Sequence, residues 1–204
     1  MQQFAVGARC AISLLALSLA ACGGGPRRLA DVPLGEIARP SEKPLPGHPA
    51  PAIPAGPLTI ARIGSYMDGL ESELRRHLHG DGIIIARMGD TITVILRNDK
   101  LFAHDGTLDA DDVLEPLGAV LGGYYHTSVA VDGFTDTVGD PERNLVLSQK
   151  RAMLIADALS HEGVARQRLT ATGFGETHLR VATGDDMKEL RNRRIEILLK
   201  AKPG

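Results

Sequence analysis

Val131-Asp-Gly-Phe-Thr-Asp-Thr-Val-Gly-Asp-Pro-Glu-Arg-Asn-Leu-Val-Leu-Ser-Gln-Lys-Arg-Ala-Met-Leu-Ile-Ala-Asp-Ala-Leu159 decides the fold. A strand over Ser128–Gly133 ends in a glycine-containing loop that carries Asp136. Asp140-Pro141 then starts a long helix, an N-cap carboxylate followed by proline at the first helical position. That helix is predicted to run from Pro141 to His161, with Gly163 as its stop. Offsets of four and seven place Asn144, Ser148 and Arg151 on one stripe. A carboxylate from the loop and a guanidinium from the helix can therefore face one pocket. Such a pair suits a zwitterionic amino-acid group, ammonium to Asp136 and carboxylate to Arg151. It is equally consistent with an Asp136–Arg151 salt bridge that only fixes the loop to the helix.

Outward from this unit the pattern alternates. Upstream, Ile60, Ile63, Met67, Leu70, Leu74 and Leu78 recur at helical spacing, which predicts a helix over 59–79. Ile83–Arg87 and Thr91–Arg97, joined by Met88-Gly-Asp, read as a β-hairpin. A helix near 109–121 follows. Downstream, a strand over 168–173, a short helix near 185–191 and a final strand over 193–199 complete the chain. The fold class is α+β: a small mixed sheet with helices on one face, preceded by a helix and a β-hairpin.

Residues 1–21 carry one positive charge, Arg9, and an apolar core too short to span a bilayer, as an export signal does. They end in Leu19-Ala20-Ala21-Cys22, which is similar to a lipoprotein processing box, so Cys22 is the expected lipidation site. Several acyl chains on Cys22 would hold the protein on outer-membrane lipid without a spanning helix. Gly23-Gly24, with no Asp after the cysteine, agrees with an outer-membrane address and a domain in the periplasm. Between Gly23 and Pro57 there are nine prolines and six glycines, a composition that excludes helix and central strand. Residues 22–57 form a tether that reaches on the order of 100 Å when extended. The folded part is divided into a lead-in helix over 58–82 and a domain over 83–204.

Of the 204 residues 43% are apolar and 24% charged, with a net charge of −2, so the chain lacks the basic excess of a nucleic-acid binder. With no Trp, four Phe and three Tyr, it offers few stacking platforms for bases. The cysteines are Cys10 and Cys22, so no thiolate site exists downstream. His77 and His79 read as surface residues, and His104, His126, His161 and His178 lack zinc spacing. Asp105–Glu115 fails the calcium-loop register at Ala110 and Pro116; its acids favour a helix N-terminus instead. Neither a nucleophile elbow, a zinc-protease helix nor a phosphate loop is present. The expectation is a binding protein without cofactor, metal or catalysis.

Gly133-Phe-Thr-Asp-Thr-Val-Gly, Asn144, Leu147-Ser148, Arg151-Ala152, Arg168-Leu169, Gly173-Phe-Gly-Glu and Asn192-Arg-Arg-Ile-Glu196 closely resemble the peptidoglycan-binding domain of the OmpA, Pal and MotB family, over about residues 83–200. The resemblance implies that Asp136 and Arg151 grip the diaminopimelate of the peptidoglycan stem peptide, with Thr135 and Asn144 at neighbouring pocket positions and the Asn98–Thr107 loop lining the pocket. It also implies a tether between outer membrane and cell wall. The alternative is a protein-docking subunit of an envelope or secretion complex, with envelope proteins as partners and a merely structural pocket. Three places depart from the family pattern: Phe134 replaces the usual histidine, Thr177-His178-Leu179 lacks the usual proline, and Lys188-Glu189 replaces the usual Gly-Arg.

Overall fold

The computed structural model describes residues 56–103 and 106–203. The export signal, Cys22 and nearly all of the proline-rich tether lie outside them. Five strands form one sheet in the order β1-β2-β5-β3-β4: β1 Ile83–Met88, β2 Thr91–Arg97, β3 Thr127–Phe134, β4 Leu169–Gly175 and β5 Arg194–Ala201. Only β3 and β4 run parallel, joined across α3; the other neighbours are antiparallel. Three helices, α1 Ile63–His77, α2 Asp111–Gly123 and α3 Pro141–His161, complete the expected α+β class.

The period-two pattern explains the two faces of the sheet. Ile92, Val94 and Leu96 of β2, Val129 and Val131 of β3, and Ile195, Ile197 and Leu199 of β5 are buried in one core with the helices. The alternate residues Thr93, Ile95, Glu196, Leu198 and Asp132 are half-buried on the opposite face. Asp132 stands directly across from Glu196, and burial, then this second carboxylate, pushes its carboxyl upward.

Helix α1 is shorter than 59–79, because residues 60–62 form a 3₁₀ turn before it. Its Tyr66, Met67, Leu70 and Leu74 belong to the same core as the strands, so the lead-in helix is built into the domain. The Tyr66 hydroxyl accepts a hydrogen bond from His126 N (3.0 Å), and burial pushes its phenol up to about 12. Arg168, directly before β4, is sunk among main-chain oxygens, donating to Leu121, Tyr124 and Thr127 at 2.8–2.9 Å.

Helix α3 has the predicted limits, with the Asp140 carboxylate accepting from Arg143 N (2.9 Å) and Gly163 at φ +94° beyond its end. Residues 185–191 contradict the expected short helix. Turns replace it because its polar groups bond across to residues 136–139: Asp186 N donates to Thr137 O (2.9 Å), and Met187 N to Thr137 Oγ1 (3.0 Å). Asp186 takes φ +54°, which a helix does not accept.

The seating of α3 on the sheet positions the site, and it needs two residues without side chains. A Cβ at Gly133 would overlap the Ser148 carbonyl, and one at Gly173 the Gln149 backbone. Ser148 Oγ accepts from Gly175 N (2.8 Å), and Gln149 Oε1 from Gly173 N (2.7 Å). Gly133→Ala and Gly173→Ala are each expected to lower unfolding stability by about 1–3 kcal/mol or more, since backbone must move to make room; urea unfolding checks this.

Candidate functional site

The loop after β3 is set by Thr135 N, which donates to Gly175 O (2.8 Å) and carries the chain off the end of the β3–β4 pair. Asp136 follows, 3% exposed, and both its hydrogen bonds end on one oxygen: Oδ2 accepts from Arg193 Nε (2.6 Å) and Glu189 N (3.1 Å). Among the described residues no donor reaches Oδ1.

Asp136 therefore pairs with Arg193, not with Arg151 as the helix-to-loop salt bridge would require. Periodicity on α3 could expose only Arg151. Arg193 comes from 57 residues farther along and reaches Asp136 because β5 lies beside β3, antiparallel. The only hint in the sequence was the Asn192-Arg-Arg motif, which carried no assigned role.

Arg151 is a different kind of cation. Its guanidinium lies over the Phe102 ring, 5.3 Å from the centroid, and no acceptor among the described residues reaches it. Its Nε is buried without a partner. Burial first, then the nearby positive charge of Arg193, lowers its pKa, and Asp136 opposes them weakly. A buried cation with unspent donors is stabilised by an anion placed against it.

Asn144 and Thr135 stand where the stripe and the loop put them, but they differ in use. Asn144 Nδ2 donates to Glu176 Oε2 (2.7 Å) and Val138 O (3.1 Å), so this amide clips the loop to the end of β4. Thr135 is 3% exposed, with a hydroxyl that has no partner. The Asn98–Thr107 loop contributes Phe102 beneath Arg151; His104 and Asp105 lie outside the described residues.

The three departures from the family pattern have local accounts. Phe134 stacks on Phe174 (centroids 5.2 Å, 9°), and the Arg194 guanidinium lies over the Phe134 ring, 3.9 Å from its centroid. His178 meets both rings edge-on. Thr177 Oγ1 donates to Phe174 O (2.7 Å), closing the turn without proline. Glu189 supplies a backbone N–H to Asp136, and its own carboxylate is held down to about 2 by side-chain and backbone bonds from Arg191.

Asn192, fully buried, holds the segment in place. Its amide exchanges two 2.8 Å bonds with the Val181 main chain, as a neighbouring strand would. Asn192→Ala removes both and leaves the Val181 N–H and C=O unpaired. The expected result is about 1–3 kcal/mol lost stability and faster amide exchange at Val181, read by hydrogen–deuterium exchange.

Residues 107–193 match the OmpA family model. The protein named "Probable lipoprotein YiaD" in Escherichia coli (strain K12) is 34% identical over 145 residues, covering 67% of this chain and 64% of that protein. A peptidoglycan-associated lipoprotein of Legionella pneumophila is 30% identical over 104 residues, 50% of this chain and 59% of that protein. The chain thus spans slightly under two-thirds of each relative. The crystal structure of a MotB-like protein from Desulfovibrio vulgaris shares the fold, with TM-score 0.60, 23% identity, and coverage of 70% of this chain and 96% of that one.

Proposed function

Because this chain carries a domain of the OmpA family, we propose that it binds peptidoglycan non-covalently and tethers the outer membrane to the cell wall. The observation that carries this reading is the pairing of opposites at one site: a half-buried guanidinium, Arg151, whose buried Nε is unspent, and a carboxylate, Asp136, with one oxygen unspent. A group bearing ammonium and carboxylate on one carbon satisfies both, and diaminopimelate in the stem peptide is such a group. The Legionella relative is named for association with peptidoglycan, which supports this ligand.

In this reading Asp136 Oδ1 accepts from the ligand ammonium while Arg193 and the Glu189 N–H keep the carboxylate aimed through Oδ2. Arg151 donates to the ligand carboxylate, its plane held by Phe102. Thr135 adds a hydroxyl, and Asn144 shapes the loop. No bond is made or broken. Acylated Cys22 anchors the chain in outer-membrane lipid, and residues 22–57 let the domain reach the wall. Confinement by the tether raises the effective concentration of a weak site near its ligand.

Asp136→Ala and Arg151→Ala are each expected to weaken binding by about 1–3 kcal/mol, roughly fivefold to 150-fold. Co-sedimentation with purified peptidoglycan, and titration with a diaminopimelate stem peptide beside its lysine analogue, measure this. Wild-type preference for diaminopimelate that both variants lose is the expected result. Sedimentation of both variants like wild type sinks the site assignment, and absence of wall binding with co-purified envelope proteins favours a docking subunit.

A further inference from the structure

Three buried polar atoms on the segments around Asp136 have no hydrogen-bond partner among the described residues: Arg151 Nε, Thr135 Oγ1 and Asn98 Oδ1. Asn98 is 4% exposed. It opens the 3₁₀ turn after β2 and touches each wall of the site. Its backbone N donates to Arg193 O (3.0 Å), its backbone carbonyl accepts from Phe102 N (3.0 Å), and its Nδ2 donates to Phe134 O (3.4 Å), the carbonyl of the peptide that leads into Thr135.

These contacts settle which amide atom is free. Turned over, Asn98 would set its oxygen against the Phe134 carbonyl, two acceptors facing each other. The nitrogen is therefore the inward atom, and Oδ1 is left without a donor. Asn98 is bonded to the peptide that leads into Thr135 and Asp136, so its buried acceptor, the Thr135 hydroxyl and the unspent Asp136 oxygen lie on joined segments, and each calls for a donor from outside the chain.

Resting on the binding reading above, we propose that Asn98 is a ligand-binding residue: its Oδ1 joins Thr135 Oγ1 and Asp136 Oδ1 as three acceptors for the three N–H donors of the ligand's primary ammonium. One carboxylate supplies the charge, and two neutral acceptors supply the count. The cradle selects an unsubstituted ammonium, because an acylated nitrogen keeps one donor and no charge. Arg151 stands apart from this trio and serves the ligand's carboxylate.

Calorimetric titration of the full chain tests this with two ligands: the tripeptide L-alanyl-γ-D-glutamyl-meso-diaminopimelate, and the same tripeptide with hydrogen in place of the distal amino group. Asn98→Leu and Thr135→Val are each expected to weaken the first by about tenfold and leave the second unchanged. Thr135→Ser, which keeps the hydroxyl acceptor, retains the first ligand, and Thr135→Val covers the case in which Asn98→Leu does not fold. Equal weakening of both ligands, or wild-type affinity for the first in Asn98→Leu and Thr135→Val, overturns the cradle while Asp136 and Arg151 stand. Wild-type chain that binds neither ligand overturns the binding reading itself.

Discussion

Backbone-to-backbone approach of α3 to the β3–β4 pair is the constraint on which the remaining architecture depends. A helix seated over ordinary strand residues stands off by the thickness of their side chains. Here Gly133 and Gly173 remove that thickness, and Ser148 and Gln149 bond directly to β4 amides. The helix axis is thereby fixed relative to the strand ends, and with it the place of Asn144 and Arg151. Polar residues on the buried face of α3 thus act as fasteners, where a helix packed on a standard sheet would carry leucine or valine.

The site follows from that seating as an arrangement of spent and unspent polar groups. Asp136, Asn144 and Asn192 each give part of their hydrogen-bonding capacity to holding loops. Arg151 Nε, Thr135 Oγ1 and Asn98 Oδ1 have no partner among the described residues. In a low-dielectric pocket unmade bonds cost stability, and an interior selected for stability alone would remove them. Their concentration at one end of the sheet sets this region apart from Arg168, an equally sunken guanidinium that is saturated by main-chain oxygens. Two half-buried arginines of one chain therefore have opposite uses, one structural and one poised for an anion.

Much of the fold was legible because its signals are local. The limits of α3 follow from Asp140-Pro141 and Gly163, and the hairpin from branched residues around Met88-Gly-Asp, because caps and turns act within a few residues. The segment 185–191 has the local pattern of a helix but forms turns, because its polar groups bond across space to Thr137 and Asp136. Nothing in its own composition records that competition.

The sequence by itself determined the order of the five strands and three long helices, the helix stripe carrying Asn144, Ser148 and Arg151, and the resemblance that singled out Asp136. All are encoded in spacing along one chain segment. Tertiary structure alone decided the partners: Arg193 on Asp136, Phe102 beneath Arg151, and Asn98 against the Phe134 carbonyl. These contacts join segments brought to one end of the sheet by the order β1-β2-β5-β3-β4, in which the last strand of the chain is inserted between the second and third. Side-chain periodicity reports which residues share a face of one element, whereas the pairing of elements follows from burying every apolar face in a single core, a property of the whole chain.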